Sequence, residues 1–350
     1  MTLEETLAQI KPLDKNAMDV AAKRWDSIAK PLHSLGKMEK LVIQIAGITG
    51  NPDMKIQKRA LVPMCADNGV VEEGVTQTGQ EVTAIVAENF LSGDTSACVM
   101  SRQCGTKVIP VDIGMAVDTK VSKELKVAYG TANMTKGPAM TRAQAVQALE
   151  AGIEMVRRLK EEGYGLLATG EMGIGNTTTS SAVTASLLKC DVKEVTGRGA
   201  GLSDEQLIHK QEIIEEAIRK YELKNADAFT ILETGGGYDI AGLAGVCIGG
   251  ALFHIPIVLD GVISMAAALL AERLAPGTKA YLLASHKGKE PAVEKLAKEL
   301  EVVPVIDGKM ALGEGTGALM LFPLLEMALS VYQERTTFSD IKLTPYTRYL

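Results

Sequence analysis

Leu166-Leu167-Ala168-Thr169-Gly170-Glu171-Met172-Gly173-Ile174-Gly175-Asn176-Thr177-Thr178-Thr179-Ser180-Ser181-Ala182 is the stretch on which the fold turns. Its apolar start, Leu166 to Ala168, reads as the end of a buried strand, and the Ala/Val/Leu run to Leu188 reads as a helix. Three glycines between them free the backbone to turn sharply and expose N–H groups. Asn176 and Thr177 to Thr179 are cap-type residues for the helix that follows. A glycine turn feeding a helix N-terminus gathers unpaired donors at the positive end of the dipole, so an anion, most often phosphate, is its natural guest. Glu171 stands in the same loop, where a pure phosphate cradle would not want it. The pairing suggests a site that holds a phosphate and also manages a proton or a cationic ring. The plain alternative is a sharp turn with no ligand. Neither a P-loop nor a dinucleotide fingerprint fits, because no Gly-Lys-Ser/Thr follows and Gly170, Gly173 and Gly175 lack the G-x-G-x-x-G spacing.

The same strand-then-polar pattern recurs along the chain. Strands are expected at 59–66, ending at Asp67-Asn68-Gly69, and at 106–111, ending at Asp112. Others are expected at 165–169, at 229–232 before Glu233, at 255–259 before Asp260, and at 279–283 before Ser285-His286. Helix-length segments separate them. This alternation predicts an α/β fold with a doubly wound, mainly parallel, Rossmann-like sheet, whose ligands bind at the carboxyl ends of the strands. Met18, Ala21, Ala22, Trp25 and Ile28 lie at helical spacing, Pro31 stops that helix, and another opens across 34–39. The tail from Ala318 to Tyr332 also reads helical. A large α/β ligand-binding domain over 51–317 is therefore expected, with a smaller helical domain from 1–50 plus 318–350.

Composition narrows the class. Apolar residues make up 46 % of the 350, aromatics only 4 %, and the formal charge is -6. No basic stripe with interleaved aromatics is visible, so nucleic acid is not an expected partner. The acidic start, Met1 to Glu5, is no signal segment, and apolar runs break before the ~20 residues of a membrane span. A cytoplasmic protein is expected. Five scattered cysteines read as reduced, mostly buried thiols. Four histidines without ligand spacing argue against a metal site, and no cofactor is expected.

A second glycine-framed glutamate occurs at Leu312-Gly313-Glu314-Gly315-Thr316-Gly317. It reads either as an acidic helix start or as a general base at the mouth of a pocket. Lys210, beyond the turn-rich segment 196–204, reads as a solvated lysine or as a phosphate ligand; Arg198 has the same two readings. Ser285-His286-Lys287 offers no nucleophile elbow, which disfavours a hydrolase triad.

Together these segments resemble one family. The motifs are Asp67 to Val75, Gly170 to Thr178, Gly197 to Gly201, Gly235 to Gly245, Leu259 to Ile263, Ser285 to Lys287 and Leu312 to Gly317, in the order of the nicotinate-nucleotide–dimethylbenzimidazole phosphoribosyltransferases. Lys30-Pro31-Leu32-His33-Ser34-Leu35-Gly36 is similar as well, with His33 where the family usually has Gly. The resemblance spans roughly 20 to 330.

The resemblance implies transfer of the phosphoribosyl group of nicotinate mononucleotide to a lower-ligand base, for the nucleotide loop of cobalamin-type cofactors. It implies Glu314 as the base that takes the acceptor's N–H proton and Glu171 as a second carboxylate at the reaction centre. Gly173, Ile174, Gly175, Asn176, Thr177 and Thr178, with Lys210, would hold the nucleotide; Thr76, Gln80 and Leu312 would contact substrate. A carboxylate with its pKa raised by a dry pocket would suit the base. Small molecules are the expected partners. The family's homodimeric assembly is the expected state, and a paralogous partner subunit stays open. So does the acceptor: Gln77-Thr78-Gly79 is polar and small, and relatives accept adenine, other benzimidazoles or phenolics. The other reading is a nucleotide-binding subunit without turnover. The two separate on whether Glu171 and Glu314 face one cavity.

Overall fold

Six parallel strands form the sheet of the computed structural model, which describes residues 3–334 and 336–347. Positions 1–2, 335 and 348–350 of the expected terminal domain lie outside the described residues. The strands are β1 (Arg59–Ala66), β2 (Lys107–Val108), β3 (Val111–Gly114), β4 (Leu166–Met172), β5 (Ile257–Leu259) and β6 (Leu282–Ala284). β2 and β3 pair in succession with the same edge of β1, at Ala60 and Leu61 and then from Met64 onward. Pro110 falls between them and has no N–H to give to a ladder. Counted as one broken strand, they give the spatial order 2-1-3-4-5, a doubly wound arrangement whose switch point lies between β1 and β4.

Both faces of the sheet are covered, so the strands read as near-continuous apolar runs. Side chains alternate between two cores. Ala60, Val62, Met64, Leu167, Ile257, Leu259 and Leu282 join the core beneath the helices Arg142–Glu161, Tyr238–Phe253 and Val262–Leu274. Leu61, Cys65, Leu166, Ala168, Val258 and Leu283 join the other, with Trp25, Ile45 and the helix Thr316–Gln333. That helix is long and apolar enough to span a membrane by composition, yet over half of it is buried, and it packs on the N-terminal helix Lys37–Thr49.

Three expectations change. Residues 279–281 lie in the 3-10 helix Thr278–Tyr281, so the last strand starts only at Leu282. Residues 229–232 are not a strand; they lie in the helix Ala228–Gly235, because Asp227 accepts the N–H groups of Phe229 and Thr230. Strand β4 continues three residues past its expected end at 169, so Glu171 stands on the strand and not in the loop.

The thiols are free, with Cys65, Cys98, Cys104 and Cys247 buried. His33, at the position where the resembling family has Gly, is held at φ 56°, the left-handed region.

Candidate active site

The carboxyl ends of β1 and β4 deliver Asn68 and Glu171 to the switch point. A cavity of about 350 Å³ opens there, and Glu171, Gly173, Ile174, Asn176, Thr177, Leu312 and Glu314 all line it. Thr76 and Lys210 line a smaller adjoining cavity of about 80 Å³, which shares Gly173, Ile174, Asn176 and Thr177 and adds Gly175. Thr178 and Gln80 line neither. Thr178 is fully buried, and Gln80 donates to the Asn68 carbonyl at 3.2 Å.

Glu171 is held from several sides. The Asn176 amide donates to its Oε2, and the Glu314 backbone N–H also reaches the carboxylate. Asn176 therefore does not cap its own helix; the N-cap is Gly175, at φ 94°. Burial pushes the Glu171 carboxyl up to about 8, and the charges of Asp260 and Asp239 add to the shift. Near neutral pH this group keeps its proton. Burial also raises Asp239 to about 7 and Asp260 to about 6.

Glu314 arrives from the far side. Gly313, Glu314 and Gly315 have φ of 84, 61 and 89°, a left-handed turn that opens the helix Thr316–Gln333. A side chain on Gly315 would meet the Thr169 carbonyl at 3.0 Å, so the turn lies directly on β4. Asp260 fixes it by accepting the N–H groups of Gly315, Gly317 and Ala318 at 3.2, 2.8 and 3.2 Å. One Glu314 oxygen accepts the Ala97 N–H at 2.9 Å, at the start of the helix Ser96–Gln103. The other makes no hydrogen bond among the described residues, which leaves it for a proton.

Lys210 is buried, not solvated. Its Nζ donates to Thr177 Oγ1 at 2.8 Å and to the Gly197 carbonyl at 3.4 Å. Burial lowers its pKa to about 8, opposed by the charge of Glu290. Arg198 pairs with Asp204 and lines the smaller cavity. His286 also lines the main cavity. Its Nδ1 lies 3.0 Å from Ser285 Oγ, whose own proton goes to the Leu259 carbonyl at 2.6 Å. Nδ1–H is thus the donor, and burial keeps the ring neutral with Nε2 unprotonated.

Sequence reasoning missed the parts played by Asp260, Asp239 and Asn68. Their signal was their place at strand ends or after glycine turns; their partners were not visible. Val86, Met172, Ile174 and Leu312 give the main cavity an apolar wall, to which the polar 77–79 segment does not contribute.

A buried lysine beside a glycine turn, two carboxylates in one cavity and a parallel sheet's switch point fit a transferase acting on a sugar-phosphate nucleotide. Known proteins of similar sequence and fold agree. Residues 10–342 match the phosphoribosyltransferase family. The nicotinate-nucleotide–dimethylbenzimidazole phosphoribosyltransferase of Ruminiclostridium cellulolyticum is 44 % identical over 348 residues, 99 % of each chain. That of Clostridium acetobutylicum is 44 % identical over 350 residues, again 99 % of each. The crystal structure of CobT from Thermus thermophilus superposes with a TM-score of 0.88 at 36 % identity, over 94 % of this chain and 99 % of that one. This chain belongs to the nicotinate-nucleotide–dimethylbenzimidazole phosphoribosyltransferase family.

Proposed function

We propose that this enzyme transfers the phosphoribosyl group of nicotinate mononucleotide to a lower-ligand base such as 5,6-dimethylbenzimidazole, giving the α-ribotide and nicotinate for cobalamin nucleotide-loop assembly. One observation carries the reading: Glu171 and Glu314 line the same cavity, beside the Lys210–Thr177 grip. A non-catalytic nucleotide-binding subunit has no use for that pair.

A ring nitrogen of the base attacks C1′ from the face opposite nicotinate. The C1′–N bond breaks, its electron pair leaves with the pyridine ring, and the configuration inverts from β to α. The cationic pyridinium is already a good leaving group, so the residues supply position and one proton transfer. Positioning accounts for up to ~7–11 kcal/mol of such a barrier. Glu314 takes the acceptor's N–H proton. Glu171, protonated near neutral pH, sits at the reaction centre as a hydrogen-bond donor, and Lys210 with the 173–178 turn holds the phosphate. Apolar walls favour a benzimidazole over a polar purine.

The enzyme works in the cytoplasm as a homodimer in this reading. The packed helices Ser96–Gln103 and Thr316–Gln333 support the second part, since they leave Val99, Met320, Met327 and Val331 exposed. The terminal helices form the smaller unit that closes the site. The test is incubation with nicotinate mononucleotide and a panel of bases. Release of nicotinate with formation of the α-ribotide is expected; release without any base means hydrolysis, and no release with any base overturns the assignment.

A further inference from the structure

Behind the wall of the main cavity, a row of buried polar side chains leads away from Glu171. The Asn176 amide donates to Glu171 Oε2 and also reaches the carboxyl of Asp239. From the other side, Asn68 Nδ2 donates to Asp239 Oδ2 at 3.3 Å. Asp239 Oδ1 accepts the Ile240 N–H at 2.9 Å, in the first turn of the helix Tyr238–Phe253. Asp239 and Asn68 are fully buried and line neither of the two cavities. The fit is close. A Cβ at Gly173 would fall 2.5 Å from Asp239 Oδ2, and one at Gly237 would fall 2.4 Å from Oδ1. Asn68 makes its bond at a cost, since its own Oδ1 is buried without a partner. A helix start uses one oxygen of such an acid; here the carboxyl also takes two amides, one of which ends on Glu171.

We propose that Asp239 is a positioning residue for the transfer, acting through Asn176 to fix which oxygen of Glu171 carries the proton. The inference rests on the role given to Glu171 in the reading above. An amide can turn over and exchange its oxygen for its –NH2 group. With Glu171 as its only neighbour, Asn176 could do so, present Oδ1 and draw the Glu171 proton onto itself. Asp239 closes that route, because the turned amide would set Oδ1 against a second carboxyl. The –NH2 group, held between two acceptors, stays on Glu171 Oε2. That oxygen is thereby the acceptor of the carboxyl group, and the proton is left to Oε1. Burial raises Glu171 to about 8 and Asp239 to about 7, so as pH rises Asp239 ionises first and Glu171 keeps the last proton of the pair. Asp239 touches no substrate; its effect reaches the reaction centre only along this row.

The test is a double-mutant cycle on the full-length protein, with Asp239→Asn made in the wild type and in Glu171→Gln. Asp239→Asn keeps the shape and an acceptor for the Ile240 N–H, but turns an N–H toward the amides of Asn68 and Asn176. Steady-state turnover with nicotinate mononucleotide and 5,6-dimethylbenzimidazole is measured. Asp239→Asn is expected to lower kcat about tenfold or more while KM for the nucleotide stays within about twofold, because Lys210 and Thr177 are untouched. In Glu171→Gln it should cost nothing further, since no Glu171 proton remains to be aimed. Should Asp239→Asn fail to fold, Asn176→Ala cuts the row at its middle and must show the same non-additivity. An equal fractional loss in both backgrounds, a loss in KM alone, or an unchanged kcat overturns the proposal. Near-normal kcat in Glu171→Gln by itself also overturns it, and leaves the transferase reading standing. A wild type that releases no nicotinate with any base is a distinct result, which removes that reading and the role of Asp239 with it.

Discussion

The Lys210 ammonium lies 2.8 Å from the Thr177 hydroxyl, inside a cavity wall and away from solvent. A buried cation whose hydrogen bonds go to a hydroxyl and a carbonyl, lowered to about 8, is costly unless a ligand completes it. Lys210→Met is therefore expected to leave stability unchanged or raise it, while KM for nicotinate mononucleotide rises about 10- to 100-fold. In the wild type, KM should climb above about pH 8, as the amine loses its proton. Stability runs the other way in that window. The unfolded chain keeps the lysine protonated to higher pH, so the free enzyme gains stability as pH rises from about 8 toward 10.5. A KM independent of pH from about 7 to 9.5 would contradict this assignment.

Glu314→Gln keeps an acceptor for the Ala97 N–H but cannot take a proton. Turnover should drop about 10²- to 10⁴-fold with an unchanged melting temperature. Near-normal kcat would remove Glu314 from the role of base.

Glu171, Asp239 and Asp260 all have folded pKa values above their unfolded ones, at about 8, 7 and 6. The native state binds more protons than the unfolded chain between the ordinary carboxylate range and about pH 8. Stability from these groups is present in mild acid and is lost as pH rises through about 6 to 8. Calorimetric melting from about pH 5 to 8.5 should show the decline, and Glu171→Gln should flatten it. A steeper slope in the variant would sink the argument.

Asp260→Ala strips three backbone donors of their acceptor at the turn that carries Glu314. Each buried, unpaired donor costs ~1–3 kcal/mol. Melting temperature and kcat should both fall, and hydrogen exchange at 315–318 should accelerate. Protection equal to wild type would show that the turn holds itself.

His33 has its backbone at φ 56° on an exposed turn. The left-handed region costs an L-residue ~1–2 kcal/mol. His33→Gly should raise stability by ~0.5–1 kcal/mol in denaturant melts, with no effect on kcat. A loss of stability would mean that the ring contributes more than the strain removes.

The strands that carry the site were legible because each is a short apolar run ended by polar residues. The failure at 229–232 has a local cause. Phe229-Thr230-Ile231-Leu232 has strand propensity, and the single cap at Asp227 outweighs it. Glu171 was assigned to a loop because glycine before it read as a turn; the ladder with β1, pairing Gly170 to Pro63 and Glu171 to Met64, carries the strand through. Asp260, Asp239 and Asn68 were out of reach for a different reason. Each acquires its meaning from residues tens of positions away, and a single sequence gives no distance between them.

The left-handed turn at 313–315 also bears on how such enzymes diversify. Two of its three positions admit little but glycine, and the third carries the carboxylate proposed as the base, so mutational drift is nearly closed there. Lineages that adopt a new acceptor must then vary the side chains facing it, such as Val86, Met172 and Leu312, around a frozen hinge of chemistry. Libraries aimed at new bases gain most by randomising that wall and leaving the turn untouched.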